Sequence, residues 1–275
     1  MTTCSLTEEA ITAVCTLVRK RSAIELDATK AYLIEARLSS VARRNGCTNT
    51  GELVRRLQVE PTASLQQQVV EAMTTNETSF FRDAHPFEAL RKSILPEIAK
   101  TQASRRTLNF WSAACSTGQE AYSIAMLLHE HFPQLAQWKT QILGTDLSDE
   151  VLEKARLARF SQIEMNRGLP AAFLAKYFRR DGMQWELLPQ LRAPATFRKM
   201  NLIEPWPTMP TMDVVFLRNV LIYFSPDVKR AILAQIRKVM APHGVLFLGA
   251  AETTLGLDDH FQRVQVDNSV FYRIK

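Results

Sequence analysis

The sequence predicts an α/β fold with a mainly parallel sheet, preceded by an all-helical segment. In the first 75 residues, apolar side chains recur at helical spacing. From Thr107 onward, short apolar runs alternate with helical stretches, as in proteins built from strand–helix–strand units. One of these runs, Asp213–Leu217, is almost entirely apolar, which is typical of a strand covered on both faces of a sheet. We therefore predict an all-helical domain over 1–75 and a second domain over 76–275.

Four helices are predicted in the first domain. Thr7 is a suitable N-cap for the first. The second begins near residue 28 and ends at Asn45, before Gly46, a residue favoured just after a helix. The other two are predicted over 52–59 and 64–73.

The second helix carries a row of basic residues. Lys30, Arg37 and Arg44 are seven residues apart, and Arg43 adds a further charge beside them. Because this spacing places side chains along one side of a helix, the row predicts a surface that docks an acidic partner. A solvated helix edge gives the same pattern.

The second domain is predicted from alternating elements. The expected strands are 108–113, 141–145, 195–200, 213–217, 244–249 and 269–274, and the expected helices are 118–132, 149–158 and 226–240. Residues 76–106 are predicted to form a linker and a segment that covers the site. Residues 160–199, rich in turn residues, are predicted to form a small inserted β-subdomain.

Charge and cysteine usage narrow the classes of partner and compartment. The net charge of +6 suggests a nucleic acid, a membrane surface or an acidic protein as partner. The excess positive charge is concentrated between Glu153 and Lys199, a stretch with ten Lys or Arg and only four Asp or Glu.

The four cysteines are scattered and form no CxxC pair, which argues against a zinc site and against a disulfide framework. We see neither a secretory signal nor a membrane span, so we expect a cytoplasmic protein.

Polar residues follow several predicted strands at the carboxyl edge of the sheet, where open α/β folds bind ligands. The small-residue loop from Ala113 to Glu120 lacks the glycine and lysine patterns of phosphate-binding loops, so it favours a nucleoside without phosphates. An ordinary tight turn between a strand and a helix would have the same pattern of small residues. Asp146 ends the second strand, where a carboxylate can accept both hydroxyls of a ribose. Asn201 follows the third strand, and Arg218 with Asn219 follows the fourth.

Several motifs together resemble one family. They are MTTNETSFFR at 73–82, WSAACSTGQEAYS at 111–123, GTDLSDEVLEKA at 144–155 and FLRNVLIYF at 216–224. In this order they resemble the chemotaxis receptor methyltransferases, the CheR family, over nearly the whole chain. The resemblance implies a Rossmann-like class I S-adenosylmethionine-dependent methyltransferase with an all-α N-terminal domain and a small inserted β-subdomain. It implies methylation of glutamate side chains on the cytoplasmic helices of membrane chemotaxis receptors, leaving S-adenosylhomocysteine.

The resemblance also implies the site residues. The residues expected to contact the cofactor are Asn76, Thr78, Arg82, Glu120, Asp146, Asn201, Leu202, Arg218 and Asn219. Arg82 and Tyr223 are expected to act near the transferred methyl group. The loop here reads Ser-Thr-Gly-Gln-Glu where relatives often have Gly-Glu-Glu, and the hairpin at Gly182 looks shorter than in relatives that grip a receptor tail.

Two other functions share this fold. A nucleic-acid methyltransferase acting on exocyclic amines would usually carry an Asp/Asn-Pro-Pro-Tyr/Phe motif where this chain has Arg218–Leu221, and there is no Pro-Cys pair for cytosine chemistry. A module that senses S-adenosylmethionine without catalysis would keep the same cofactor residues. We expect no nucleic acid, no metal and no direct insertion into a membrane.

Overall fold

The computed structural model describes residues 6–27, 29 and 31–275, and the chain forms two compact units. The helical unit consists of 1–75 with 223–228. The sheet-containing unit consists of 76–222 with 229–275. In the described part of the chain, no helix is both long enough and apolar enough to cross a membrane.

The helical unit is built from α1 (Glu8–Ser22), α2 (Ala31–Arg44), α3 (Thr50–Val59) and α4 (Ala63–Met73). The hydroxyl of Thr7 caps α1 by accepting the N–H of Ala10 at 3.2 Å, which confirms the predicted helix start. The core of the unit is formed by apolar side chains that recur at helical spacing, including Val14, Val18, Ile34, Leu38, Val41, Leu53 and Val69.

The second unit begins with helical turns and continues with alternating strands and helices. Its helices are α5 (His85–Ala89), α6 (Leu95–Thr101), α7 (Gln119–His131), α8 (Asp149–Leu157), α9 (Gln162–Met165), α10 (Ala171–Tyr177), α11 (Pro189–Arg192) and α12 (Pro226–Val239). Its strands are β1 (Thr107–Ala113), β2 (Lys139–Asp146), β3 (Arg159–Ser161), β4 (Phe178–Asp181), β5 (Gln184–Leu187), β6 (Ala195–Lys199), β7 (Met212–Leu217), β8 (Met240–Leu248), β9 (Phe261–Val266) and β10 (Ser269–Ile274).

Among the described residues, seven strands form the main sheet in the order β6-β2-β1-β7-β8-β10-β9. The first five of these run parallel, and β10 is antiparallel to both of its neighbours. Every residue of β7 is buried, as its apolar sequence predicted. The predicted mainly parallel sheet is confirmed, whereas β9 and the helices between 85 and 101 were not predicted.

The inserted subdomain is smaller than the sequence suggested. In the described chain its sheet has three antiparallel strands in the order β3-β5-β4. Strand β6 instead pairs in parallel with β2, from Ala195 beside Ile142 to Lys199 beside Asp146. The insert therefore ends before Ala195, earlier than the predicted bound at residue 199, because the last stretch supplies a strand to the main sheet.

The adjacent residues Phe80 and Phe81 attach the segment before α5 to the insert, and the ring of Phe81 packs edge-to-face on Phe173 of α10. Phe80 is fully buried and makes edge-to-face contacts with Phe160 on β3 and Phe178 on β4. Gly168 lies against the same segment, and a Cβ atom there would come within 2.0 Å of the Phe80 carbonyl oxygen. The close approach of these two backbones therefore requires a glycine at 168.

We expect Gly168→Ala to destabilise the protein more than the matched substitution Gly182→Ala. Both glycines have positive φ values, 80° and 61°, but a Cβ atom on Gly182 would meet nothing within 4 Å. The left-handed backbone alone costs about 1–2 kcal/mol for alanine, and the clash with Phe80 should add about 1–3 kcal/mol. Urea unfolding measures both free energies, and equal losses would contradict the packing described here.

Candidate active site

The loop between β1 and α7, residues 114–118, is attached to the end of β2. The Cys115 N–H donates to the carbonyl of Thr145 at 2.9 Å, and the Ser116 N–H donates to Oδ2 of Asp146 at 2.9 Å. Three of its five residues have left-handed φ values, between 50° and 91°. These bonds hold the loop at the carboxyl edge of the sheet.

Asp146 is only 8 % exposed, and backbone N–H groups fix its carboxylate. Oδ2 accepts from Ser116, and Oδ1 accepts from Ser148 at 3.1 Å. Each carboxylate oxygen can accept more than one hydrogen bond. The geometry therefore suits a carboxylate that holds the two hydroxyls of a ribose, as expected for a nucleoside cofactor.

A buried guanidinium joins the end of β7 to two other parts of the unit. The side chain of Arg218 is 2 % exposed, and its Nη1 donates to Glu120 Oε2 at 3.0 Å. Its Nη2 donates to Asp83 Oδ2 at 2.7 Å and to the carbonyl of Arg82 at 3.0 Å. Oε1 of Glu120 accepts in turn from the Ser112 hydroxyl at 2.7 Å. We call Glu120, Arg218 and Asp83 the Arg218 cluster.

The loops after β7 and β8 are held together by one carboxylate. Oε2 of Glu252 accepts the N–H groups of Gly249 at 2.6 Å and Asn219 at 2.8 Å. Oε1 accepts those of Val220 at 2.9 Å and Ile222 at 3.3 Å. A Cβ atom on Gly249 would lie 2.8 Å from the backbone nitrogen of Asn219, so this arrangement requires glycine directly after β8.

The segment 76–84, here called the cover segment, contacts the loop after β1 and the start of α7. The Ser116 hydroxyl donates to the carbonyl of Asn76 at 2.7 Å, and the N–H of Phe81 donates to the Ser123 hydroxyl at 2.9 Å. Nη1 of Arg82 donates to the carbonyl of Glu77 at 3.0 Å, within the segment itself. Asn76, Thr78 and Arg82 therefore belong to a segment fixed beside Asp146 and the Arg218 cluster.

The two residues expected after β6 differ in their surroundings. The amide of Asn201 donates to Oε1 of Glu204 at 2.9 Å, and its oxygen accepts the N–H of Ile203 at 3.4 Å. Leu202 is buried. The Met200 N–H donates to the carbonyl of Asp146, which sets this loop beside Asp146. Contact of Asn201 or Leu202 with the cofactor stays a prediction.

Tyr223 ends a short 3₁₀ turn, Leu221–Tyr223, and is grouped with the helical unit. Its carbonyl accepts the N–H of Glu25 at 3.0 Å. Its expected role beside the methyl group stays a prediction.

The basic residues of α2 have different environments. Lys30 lies outside the described residues. Arg37 is half-buried, and its guanidinium donates to the carbonyl of Met73 at 2.7 Å and the hydroxyl of Thr75 at 3.1 Å. Arg43 and Arg44 are exposed. Arg37 therefore bonds to the end of α4, and docking of a partner by Arg37, Arg43 and Arg44 stays a prediction.

The sequence analysis did not single out Asp83 or Glu252 as site residues. Asp83 directly follows the predicted catalytic Arg82, and Glu252 follows β8 by four residues. An acidic residue just after a buried strand was the signal that identified Asp146, and the same signal identifies Glu252. Nothing local marks Asp83, because its partner Arg218 is 135 residues away.

The described residues form no metal-binding group, and the thiol of Cys115 beneath the site is buried. No group of three His, Cys, Asp or Glu side chains within 6–27, 29 and 31–275 is arranged to hold a metal ion. Burial, with the carboxylates of Asp146 and Glu120 nearby, raises the pKa of the Cys115 thiol well above its ordinary value. This thiol is neutral at pH 7 and is no nucleophile.

Comparison with known proteins identifies two family models in the chain. Residues 9–74 match the all-alpha domain of CheR methyltransferases, and residues 76–270 match their SAM-binding domain. A chemotaxis protein methyltransferase of Pseudomonas putida is 42 % identical over 262 residues, 94 % of this chain and 95 % of that protein. A relative from Pseudomonas aeruginosa with the same description and coverage is also 42 % identical. One from Vibrio cholerae is 34 % identical over the full length of both chains.

We expect Asp146→Ala to weaken S-adenosylmethionine binding, because two ribose hydroxyls lose a charged acceptor. Hydrogen bonds to charged groups contribute about 1.5–3 kcal/mol, so the affinity should fall about tenfold or more. Calorimetry measures the affinity, and the melting temperature shows whether the variant is folded. Glu150→Ala, exposed on α8, is the matched control. Unchanged binding by folded Asp146→Ala would remove this residue from the site.

Proposed function

Because the chain belongs to the CheR methyltransferase family, we propose that it methylates glutamate side chains on the cytoplasmic helices of bacterial chemotaxis receptors. It is proposed to be a protein-glutamate O-methyltransferase that acts in the cytoplasm. One observation carries most weight. Glu120 at the start of α7, Asp146 at the end of β2 and Arg218 directly after β7 lie at one edge of the sheet, beside the cover segment with Arg82.

The proposed reaction requires little acid–base catalysis from the protein. A glutamate with an ordinary pKa of about 4.3 is ionised at pH 7 and needs no general base. S-adenosylmethionine supplies an electrophilic methyl group on a positively charged sulfur. The carboxylate oxygen bonds to the methyl carbon as the carbon–sulfur bond breaks, the electron pair stays on sulfur, and both products are neutral. The protein therefore has to align the reactants and exclude water.

Arg82 is proposed to orient the acceptor carboxylate, and Tyr223 to help enclose it. Support for Arg82 comes from the backbone around it, because its carbonyl is held by Arg218 and its side chain by the carbonyl of Glu77. A fixed backbone gives the guanidinium a defined starting position. A tight ion pair with the acceptor would stabilise the ground state as well, so positioning is the larger part of the role.

Docking of the receptor is proposed to use α2. Receptor methylation regions are helical and rich in glutamate, so they present acidic faces. Arg43 and Arg44 lie in the last turn of α2 and are exposed. Tyr32, near the start of the same helix, is 66 % exposed. The basic segment 154–199 is the alternative docking surface. Tethering through a receptor tail is not part of the proposal, since the β4–β5 hairpin turns through two residues, Gly182 and Met183.

The central test is transfer of labelled methyl groups to receptor fragments. We expect base-labile methyl esters with the wild type. Arg82→Ala should lower kcat about tenfold or more at saturating S-adenosylmethionine, because orientation of the carboxylate is lost. Arg82→Lys should recover part of the rate, as it keeps the charge but not the planar fork. Cofactor binding without ester formation would favour a sensing module, and labelled nucleic acid would favour the nucleic-acid enzyme.

A second test addresses docking. We expect Arg43→Gln with Arg44→Gln to slow methylation at low receptor concentration and low salt, with unchanged affinity for S-adenosylmethionine. Exposed charge pairs are weak and screened by salt, so the defect should shrink as salt rises. Arg19→Gln with Lys20→Gln, exposed in the last turn of α1, is the matched control. Wild-type rates for the α2 variant at low salt would assign docking to the segment 154–199.

A further inference from the structure

The turn after β7 directs several backbone N–H groups at one side chain, the carboxylate of Glu252. These donors belong to Asn219 at 2.8 Å, Val220 at 2.9 Å and Ile222 at 3.3 Å. Asn219 has a φ of 58°, in the left-handed region that asparagine adopts more readily than most residues. Neighbouring N–H groups in such a turn form a concave site for an anion. In this protein the anion is a side chain from another loop of the same unit.

The loop after β8 delivers this carboxylate. The N–H of Glu252 donates to the carbonyl of Gly249 at 2.9 Å, and its Oε2 accepts the N–H of Gly249 at 2.6 Å. Two hydrogen bonds between the same pair of residues therefore close the loop on itself. Because β7 and β8 are parallel neighbours in the sheet, the carboxylate ties the ends of two adjacent strands together.

The side chain of Asn219 is fixed from the same direction. A Cβ atom on Gly249 would lie 2.8 Å from the side-chain amide nitrogen of Asn219, as well as from its backbone nitrogen. The amide therefore packs directly on the backbone of Gly249, where a larger residue has no room. Glu252 holds the backbone of Asn219, and Gly249 limits where its side chain can lie.

We propose that Glu252 is a positioning residue for S-adenosylmethionine that acts through Asn219; the inference rests on the predicted contact of Asn219 with the cofactor. Each oxygen of Glu252 already accepts two backbone N–H groups, so the carboxylate acts through the turn and not by touching the cofactor. A carboxylate suits this place because it only accepts hydrogen bonds and meets only donors. A turn held in its binding conformation loses less conformational freedom when the cofactor binds, which raises the affinity.

The first variant for testing this role is Glu252→Gln, which keeps the shape of the side chain. One oxygen becomes an NH2 group that faces two N–H donors and can accept from neither. The turn should shift, and the affinity for S-adenosylmethionine should fall about tenfold. Calorimetry measures the affinity well below the melting temperature of each variant.

The matched control is Asp258→Asn. The side chain of Asp258 is 6 % exposed, and its carboxylate accepts the N–H of His260 at 3.1 Å and Nε of Arg237 at 2.8 Å. It therefore joins α12 to its own loop and not to the turn after β7. We expect this variant to have a lower melting temperature and wild-type affinity for S-adenosylmethionine. A merely structural Glu252 would give the same pattern in Glu252→Gln.

Two further variants test whether the effect passes through Asn219. Gly249→Ala leaves the carboxylate in place but pushes a methyl group against Asn219, so it should also lower the affinity about tenfold. Asn219→Ala removes the predicted contact itself. Adding Glu252→Gln to Asn219→Ala should weaken binding little further, because two changes that act through one contact are not additive.

Each outcome supports or overturns a separate step. Wild-type affinity in folded Asn219→Ala would overturn the contact and the inference with it. A loss in Asn219→Ala alone, with wild-type affinity in folded Glu252→Gln and Gly249→Ala, would overturn only the positioning role. Additive losses in the double variant would mean that Glu252 does not act through Asn219, and would also overturn it. All these results are read from cofactor binding, so they stand apart from a failure to methylate receptor fragments, which would overturn the proposed function.

Discussion

The buried guanidinium of Arg218 holds the carboxyl edge of the sheet together. It bonds to Glu120 at the start of α7, to Asp83 and to the carbonyl of Arg82. These partners come from two distant parts of the chain, and Arg218, which directly follows β7, bonds to both of them. Removing one partner of a buried ion pair typically costs about 3–5 kcal/mol, because the remaining charge stays desolvated. The loop positions at this edge therefore depend on one another.

The cover segment shows how this interaction constrains the backbone. Phe81, Asp83 and Ala84 have φ values of 47°, 63° and 33°, in the region that residues other than glycine rarely adopt. Such strain persists where the surroundings fix the conformation, and it is frequent at functional sites. Here the fixing contacts are the rings of Phe80 and Phe81 on one side and Arg218 on the other. These contacts within the protein hold the segment in place.

The electrostatic arrangement suits a reaction between a carboxylate and a sulfonium. Two carboxylates surround one guanidinium in the Arg218 cluster, so the cluster is net negative and complements a positively charged sulfonium. At the same time the carboxylate of Glu252 closes the loops after β7 and β8 through backbone N–H groups. The site is therefore rigid without being strongly charged, which is what a step that cancels charge requires.

The sequence by itself determined the architecture and the edge at which the site lies. Periodic apolar residues predicted the helical unit and the parallel strands, and the rule that ligands bind at the carboxyl ends of such strands selected Asp146, Arg218 and Asn219. The strand β9 escaped prediction because Phe261 is its one buried residue and it contains no apolar run. The helices after the cover segment escaped because their stretch was taken for a linker.

The tertiary structure alone decided which polar side chains meet. Arg37 was predicted to dock a partner, and the structure shows that it also bonds to the end of α4, 36 residues further along the chain. Arg218 looked like a direct ligand contact, and the structure shows it also paired with Asp83, which no local pattern indicated. Burial and periodicity are properties of neighbouring residues and can be read from sequence. The pairing of side chains far apart in the chain depends on strand order and loop path, and only the folded structure sets these.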